Sequence, residues 1–90
     1  MTKYPFYVTM TDTFFSGWGH AQGKQNKLIF GCETMDEANI VVANATYRTD
    51  QIYIYIRTTK PSFSSHRYYV QWKDKTVYPS WYEMDYFKPS

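Results

Sequence analysis

Apolar and polar residues alternate from the start of the chain. In "YPFYVTMTD", residues 4–12, Phe6, Val8 and Met10 fall on one side and Tyr7, Thr9 and Thr11 on the other. A period of two predicts a strand, and Pro5 stands near its start, where a missing ladder donor is tolerated. After the connection "SGWGHAQGKQN", residues 27–33, "KLIFGCE", read as a second strand. The period then changes. "TMDEANIVVANATYR" begins with Thr34 and places Glu37 three residues on, a capping box. Asp36 and Glu37 suit the positive end of a helix dipole and Arg48 the negative end. Ala38, Val41, Val42 and Ala45 recur at helical spacing, so a helix is predicted over 35–47. "QIYIYIRT", residues 51–58, alternates again, with Ile52, Ile54 and Ile56 opposed to Tyr53, Tyr55 and Arg57. "KPSFSS" reads as a turn or loop. "HRYYVQWK", residues 66–73, is the fourth strand, with Tyr68, Val70 and Trp72 opposed to Arg67, Tyr69, Gln71 and Lys73. The order β-β-α-β-β predicts one α+β domain over residues 1–90. An antiparallel sheet of about four strands carries one helix on one face, followed by an aromatic, irregular C-terminal tail. The isoleucines of 52–56 are expected to meet the helix, with Phe6, Val8, Val70 and Trp72 beside them.

Composition shows how so short a chain fills a core. Aromatic residues make up 21% of it, and Leu28 is the only leucine. Each ring can bury about 150–250 Å², so few residues enclose a large volume, and the scarcity of leucine speaks against a helical bundle. The net charge of +2 is too weak to imply nucleic acid by itself. Cys32 is the only cysteine, so no intrachain disulfide forms, and a reducing interior is expected. "MTKYPFYVTM" lacks the apolar core of a signal peptide, and no apolar run approaches a membrane span. The sequon spelled by Asn44, Ala45 and Thr46 is therefore read as chance.

The sheet face away from the helix would gather Tyr7, Tyr53, Tyr55, Arg57, Arg67, Tyr69 and Lys73. Rings stack on bases and guanidinium groups bond phosphate oxygens in pairs, so such a face suits a nucleotide or a single strand. The same pattern also describes an ordinary strand surface or a self-association face, because tyrosine covers an open sheet while its hydroxyl stays wet. The glycine-rich connection has two readings as well. A Walker loop needs GxxxxGK[ST] between a strand and a helix. "GHAQGKQ" has three residues between its glycines, lacks the Ser or Thr and precedes a strand, which excludes that motif. One remaining reading is a loose anion nest at Gly19 and Gly23, charged by Lys24 and Lys27 with His20 as a donor. The other, which the pattern favours, is a wide hairpin turn with solvated lysines. Trp18 between two glycines is costly if exposed, unless it covers a core or meets a partner.

Catalytic signals are weak. Cys32 with His20 or His66 spells a nucleophile and a base, but a cysteine ending an apolar strand reads as a small core residue. CxxC, HxxxH and HExxH spacings are absent from the sequence, and its carboxylates are scattered without a pairing pattern. No catalytic residue, metal or cofactor is assigned.

The stretches "SGWGHAQGKQNKLIF", "CETMDEANIVVANATYR", "KP" at 60–61 and "WYEMDYF" give the chain a resemblance to small, mostly uncharacterised proteins of tailed bacteriophages. The likeness spans most of the chain and carries no catalytic signature. It implies a role against host defence in the host cytoplasm, by sequestering a nucleotide-derived immune signal or by blocking a defence protein. The expectation is a non-enzymatic, homo-oligomeric binder of a nucleotide-like small molecule. Its expected site combines Trp18, His20 and Lys24 of the loop with Tyr53, Tyr55, Arg57, Arg67 and Tyr69 of the sheet. The alternatives are a protein–protein inhibitor of a host defence complex such as a CRISPR nuclease, and a single-stranded nucleic-acid-binding module. The modest charge counts against the last.

Overall fold

The computed structural model describes residues 4–14, 16–17 and 19–85. Strand β1 (Phe6–Asp12) leads through a 3-10 turn at Gly19–Ala21 into β2 (Gln25–Cys32), helix α1 (Met35–Tyr47), β3 (Gln51–Arg57) and β4 (Tyr68–Lys73), and a second 3-10 turn spans Pro79–Trp81. One helix on a four-stranded sheet of order β3-β1-β2-β4 is the α+β architecture expected from the alternation and the capping box. The box is formed: Thr34 Oγ1 accepts the Glu37 amide at 3.0 Å, and the Glu37 carboxylate accepts the Glu33 amide at 2.7 Å.

The sheet is mixed where a purely antiparallel one was expected. β1 pairs antiparallel with both β2 and β3, but β4 runs parallel to β2. β3 and β4 therefore point the same way from opposite edges, and the link between them must travel back across the sheet. It crosses the face away from the helix. Pro61 is buried there, Phe63 packs edge-on against Tyr68 at 5.4 Å, and the Lys60 ammonium stands 5.6 Å from the Trp72 ring. "KPSFSS" is thus a strap over the sheet as well as a connection.

The parallel register also settles which way β4 faces. Val70 lies beside Lys27 and Trp72 beside Ile29, on the strap side, while Gln71 and Lys73 accompany Leu28 and Phe30 towards the helix. This reverses the expectation that Val70 and Trp72 share the helix side with Val8. A shift of one residue exchanges the two faces of a strand, and apolar rings on both sides of β4 make either choice acceptable until its partner is known. Trp72 instead meets Tyr7 edge-on at 6.1 Å.

A bulge changes β3 in the same manner. Thr9 pairs with Tyr55 but Thr11 pairs with Ile52, so Tyr53 and Ile54 together oppose Met10. Ile54 and Ile56 pack on the helix-side core as expected. Ile52 goes to the strap side and is 40% exposed, a departure from the even alternation of the sequence. Tyr53 takes up the extra residue with φ at 56°, in the left-handed region.

The core between sheet and helix holds Val8, Met10, Leu28, Phe30 and Cys32 against Ala38, Val41 and Ala45. The tail closes it. Trp81 lies 4.7 Å from Phe30, and the Asn44 amide donates to the carbonyls of Ser80, Trp81 and Glu83 at 3.2, 3.0 and 2.8 Å. Asn44 is buried, so the sequon it begins is a structural clamp.

Two stability changes are expected in denaturant unfolding. Asn44→Ala removes the side-chain donor that holds three tail carbonyls and lowers stability by about 2–3 kcal/mol. Tyr53→Gly relieves a left-handed tyrosine on an exposed edge and raises stability by about 1 kcal/mol.

Candidate functional site

The parallel pairing brings the glycine-rich loop to the start of β4. Gln25 is the register partner of Tyr68, and its amide donates to the Arg67 carbonyl at 3.0 Å. Between them opens a cleft of about 560 Å³, walled by Ser16, Gly17, Gly23 and Lys24 on the loop side and by His66, Arg67 and Tyr68 on the other. Gly17 and Gly23 have φ of 87° and 75°, which lets the loop turn back on itself. The Gly17 amide donates to the Lys24 carbonyl at 2.9 Å, and the Lys24 amide donates to the Ala21 carbonyl at 2.8 Å. Ser16 Oγ donates to the Asp12 carbonyl at 2.8 Å and accepts the Asn26 amide at 2.9 Å. The loop is therefore tied to the end of β1 and the start of β2.

These bonds occupy donors that flank the nest expected at Gly19 and Gly23. The amides of Gly17, Gln22 and Lys24 already serve carbonyls of the same loop. What the cleft offers an anion is side-chain charge from Lys24 and Arg67, with His66 beside them and Tyr68 as an aromatic wall. All three basic or titratable residues are exposed.

Of the expected site residues, Lys24 and Arg67 come together here. Tyr53, Tyr55 and Arg57 lie on β3, at the opposite edge, three interstrand spacings or about 14 Å from β4. Tyr55 and Arg57 do occupy the strap side, through pairing with Thr9 and Tyr7, but Tyr7 is buried. Tyr69 turns to the helix side beside Asn26. Trp18 lies outside the described residues, as does the side chain of His20, whose backbone forms part of the 3-10 turn. Ser16, Gln25, His66 and Tyr68 join the cleft lining beyond the residues expected there. Ser16 and Gln25 belong to the loop itself, whereas only the long-range pairing of β2 with β4 brings His66 and Tyr68 to Lys24, and no local pattern signals it.

Lys27, expected as a charge near the nest, is enclosed instead. It is 7% exposed beneath the strap, with its ammonium 4.8 Å from the Phe63 ring, 5.8 Å from the Tyr68 ring and 3.3 Å from the Thr11 hydroxyl. Burial, and secondarily the nearby Arg57 guanidinium, hold its pKa below the usual lysine value. Cation–π contact of this kind contributes about 2 kcal/mol when desolvated, which offsets part of the cost of the buried charge.

Cys32 is fully buried in the helix-side core. Burial, helped by the neighbouring Glu37 carboxylate, pushes its thiol up to about 12, so it stays protonated and enclosed. Among the described residues, no group of three His, Cys, Asp or Glu side chains is arranged to hold a metal ion. No described helix is long and apolar enough to cross a membrane. Comparison with protein-family models, curated proteins and solved structures finds no match to the chain.

Replacing Lys27 tests the enclosed charge. Lys27→Met is expected to raise stability at neutral pH by about 1–3 kcal/mol, read by denaturant unfolding. Because the folded pKa lies below the unfolded value of 10.5, the penalty removed is full below the folded pKa. The advantage of the variant therefore shrinks as pH rises from the folded pKa through 10.5.

Proposed function

We propose that this protein binds a phosphate-bearing, nucleotide-like small molecule in the cleft between the glycine-rich loop and the start of β4, and holds it without transforming it. The observation that carries this reading is the convergence of Lys24 and Arg67, with His66, around a cleft of about 560 Å³ walled by Tyr68. That volume lies within the range of small-molecule sites, about 300–1,000 Å³. Arg67 offers paired donors to phosphate oxygens, Lys24 adds a second positive charge, and the Tyr68 ring supplies a surface for a base. Cys32 is sealed in the core, which favours capture over nucleophilic chemistry. With the resemblance to small phage proteins, the biological reading is sequestration of a nucleotide-derived immune signal in an infected host cell.

A second reading has its own observation. Tyr53 and Tyr55 are 60% and 54% exposed on edge strand β3, close to the exposed Ile52. Exposed tyrosines on an unpaired edge suit a protein partner, and this supports inhibition of a host defence protein.

Thermal unfolding against cyclic and linear nucleotides, ADP-ribose derivatives and short oligonucleotides separates the two. Sequestration predicts saturable stabilisation by one small nucleotide, about 2.7 kcal/mol at a hundredfold excess over its Kd. Arg67→Ala or Lys24→Ala then weakens binding at least tenfold, while Arg57→Ala, at the far edge, leaves it unchanged. Stabilisation by none of these compounds overturns the capture reading. A stoichiometric host protein lost on Tyr55→Ala but retained by Arg67→Ala supports the second.

A further inference from the structure

A second cleft, of about 270 Å³, opens on the helix side of the sheet between β4 and the Pro79–Trp81 turn. Its two cations are each backed by a ring. The Lys73 ammonium stands 3.8 Å from the Tyr78 ring centre, and the Arg48 guanidinium carbon stands 3.4 Å from that of Trp81. Arg48 Nη2 also donates to Ser80 Oγ at 3.2 Å. Lys73 donates to Gln71 Oε1 at 2.9 Å, Gln71 donates to Asn26 Oδ1 at 2.7 Å, and Asn26 donates to Asp12 Oδ2 at 3.2 Å. This chain aims the ammonium through a neutral acceptor; no described carboxylate forms an ion pair with Lys73, and Asp12 is its electrostatic neighbour.

Asp12 is the one carboxylate lining the cleft. It is engaged by Asn26 and by the Phe14 amide at 2.9 Å, and burial raises its pKa. Leu28 and Trp81 form an apolar floor. Two cations, the Ser80 hydroxyl that Arg48 engages and a small volume with an apolar floor describe a holder for a compact anion. The volume falls below the usual range for drug-sized ligands, so a whole nucleotide is too large.

We infer that this cleft is a second binding site, independent of the loop cleft, for a small anion carrying a single carboxylate or phosphate group between Lys73 and Arg48. The seat would lie directly on the docked tail, because Ser80 and Trp81 are the residues that Asn44 clamps.

The test is a nitrogen-15 NMR titration of the full chain with inorganic phosphate and, separately, acetate, against sodium chloride at equal ionic strength. Saturable shifts centred on the amides of Gln71, Lys73 and Ser80 and on the Trp81 indole are expected from at least one anion and not from chloride. Response to phosphate alone assigns a phosphoryl ligand, and response to acetate a carboxylate. Lys73→Gln is expected to weaken binding at least tenfold and Lys73→Arg to restore it. The double variant Lys24→Gln, Arg67→Gln disables the loop cleft and should leave these shifts unchanged, so failure of one site is distinguishable from failure of the other. Shifts that match chloride, fail to saturate or map only to the loop cleft overturn the inference in the wild-type protein alone, whatever the variants do. Unchanged affinity in a folded Lys73→Gln variant overturns it too.

Discussion

The parallel pairing of β4 with β2 is the constraint from which most of this molecule follows. Two strands that point the same way at opposite edges cannot be joined by a tight turn. The chain after β3 must return across the sheet, and the face away from the helix becomes the floor under a strap. Tyr7, Thr9 and Ile29 are therefore as inaccessible as the residues under the helix. The same pairing lays the residues before β4 against the loop between β1 and β2. A cationic cleft forms where two segments more than forty residues apart in sequence meet.

Cations are repeatedly set against rings. Lys27 lies near Phe63 and Tyr68 under the strap, Lys60 near Trp72 above it, Arg48 on Trp81 and Lys73 on Tyr78 under the tail. A ring face attracts a cation without neutralising it. The arrangement fastens strap and tail through long side chains. At the loop cleft the charge is wet and available; at Lys27 it is enclosed and destabilising; at Lys73 it is held half-buried at a small opening. Charge of one sign thus has three different consequences, set by how much water reaches it.

The tail is structural before it is anything else. Trp81 fills the end of the core, Asn44 gathers three carbonyls of the tail, and the Tyr82 hydroxyl reaches the Gly31 carbonyl at 2.8 Å. A domain of this size buries a limited share of its surface, and the docked tail adds aromatic area that four short strands and one helix lack. Both clefts lie beside a segment without regular structure, the loop in one case and the tail in the other. Regular elements position these segments, and the irregular ones supply part of each lining.

Sequence alone determined what short-range physics controls. The capping box of Thr34 and Glu37 acts over three residues, so the helix and its start were legible, as were the four strands, the helix-side placement of Val8, Met10, Ile54 and Ile56, and the core role of Cys32. Tertiary structure decided what depends on partners far along the chain. Whether β4 ran parallel, which side Val70 and Trp72 took, and where β3 slipped at Tyr53 all rest on register. Alternation with a period of two reads equally well from either face until a partner strand breaks the tie. For the same reason Lys24 and Arg67 were legible as charged residues and not as neighbours. Nothing within their own stretches of sequence records that Gln25 pairs with Tyr68.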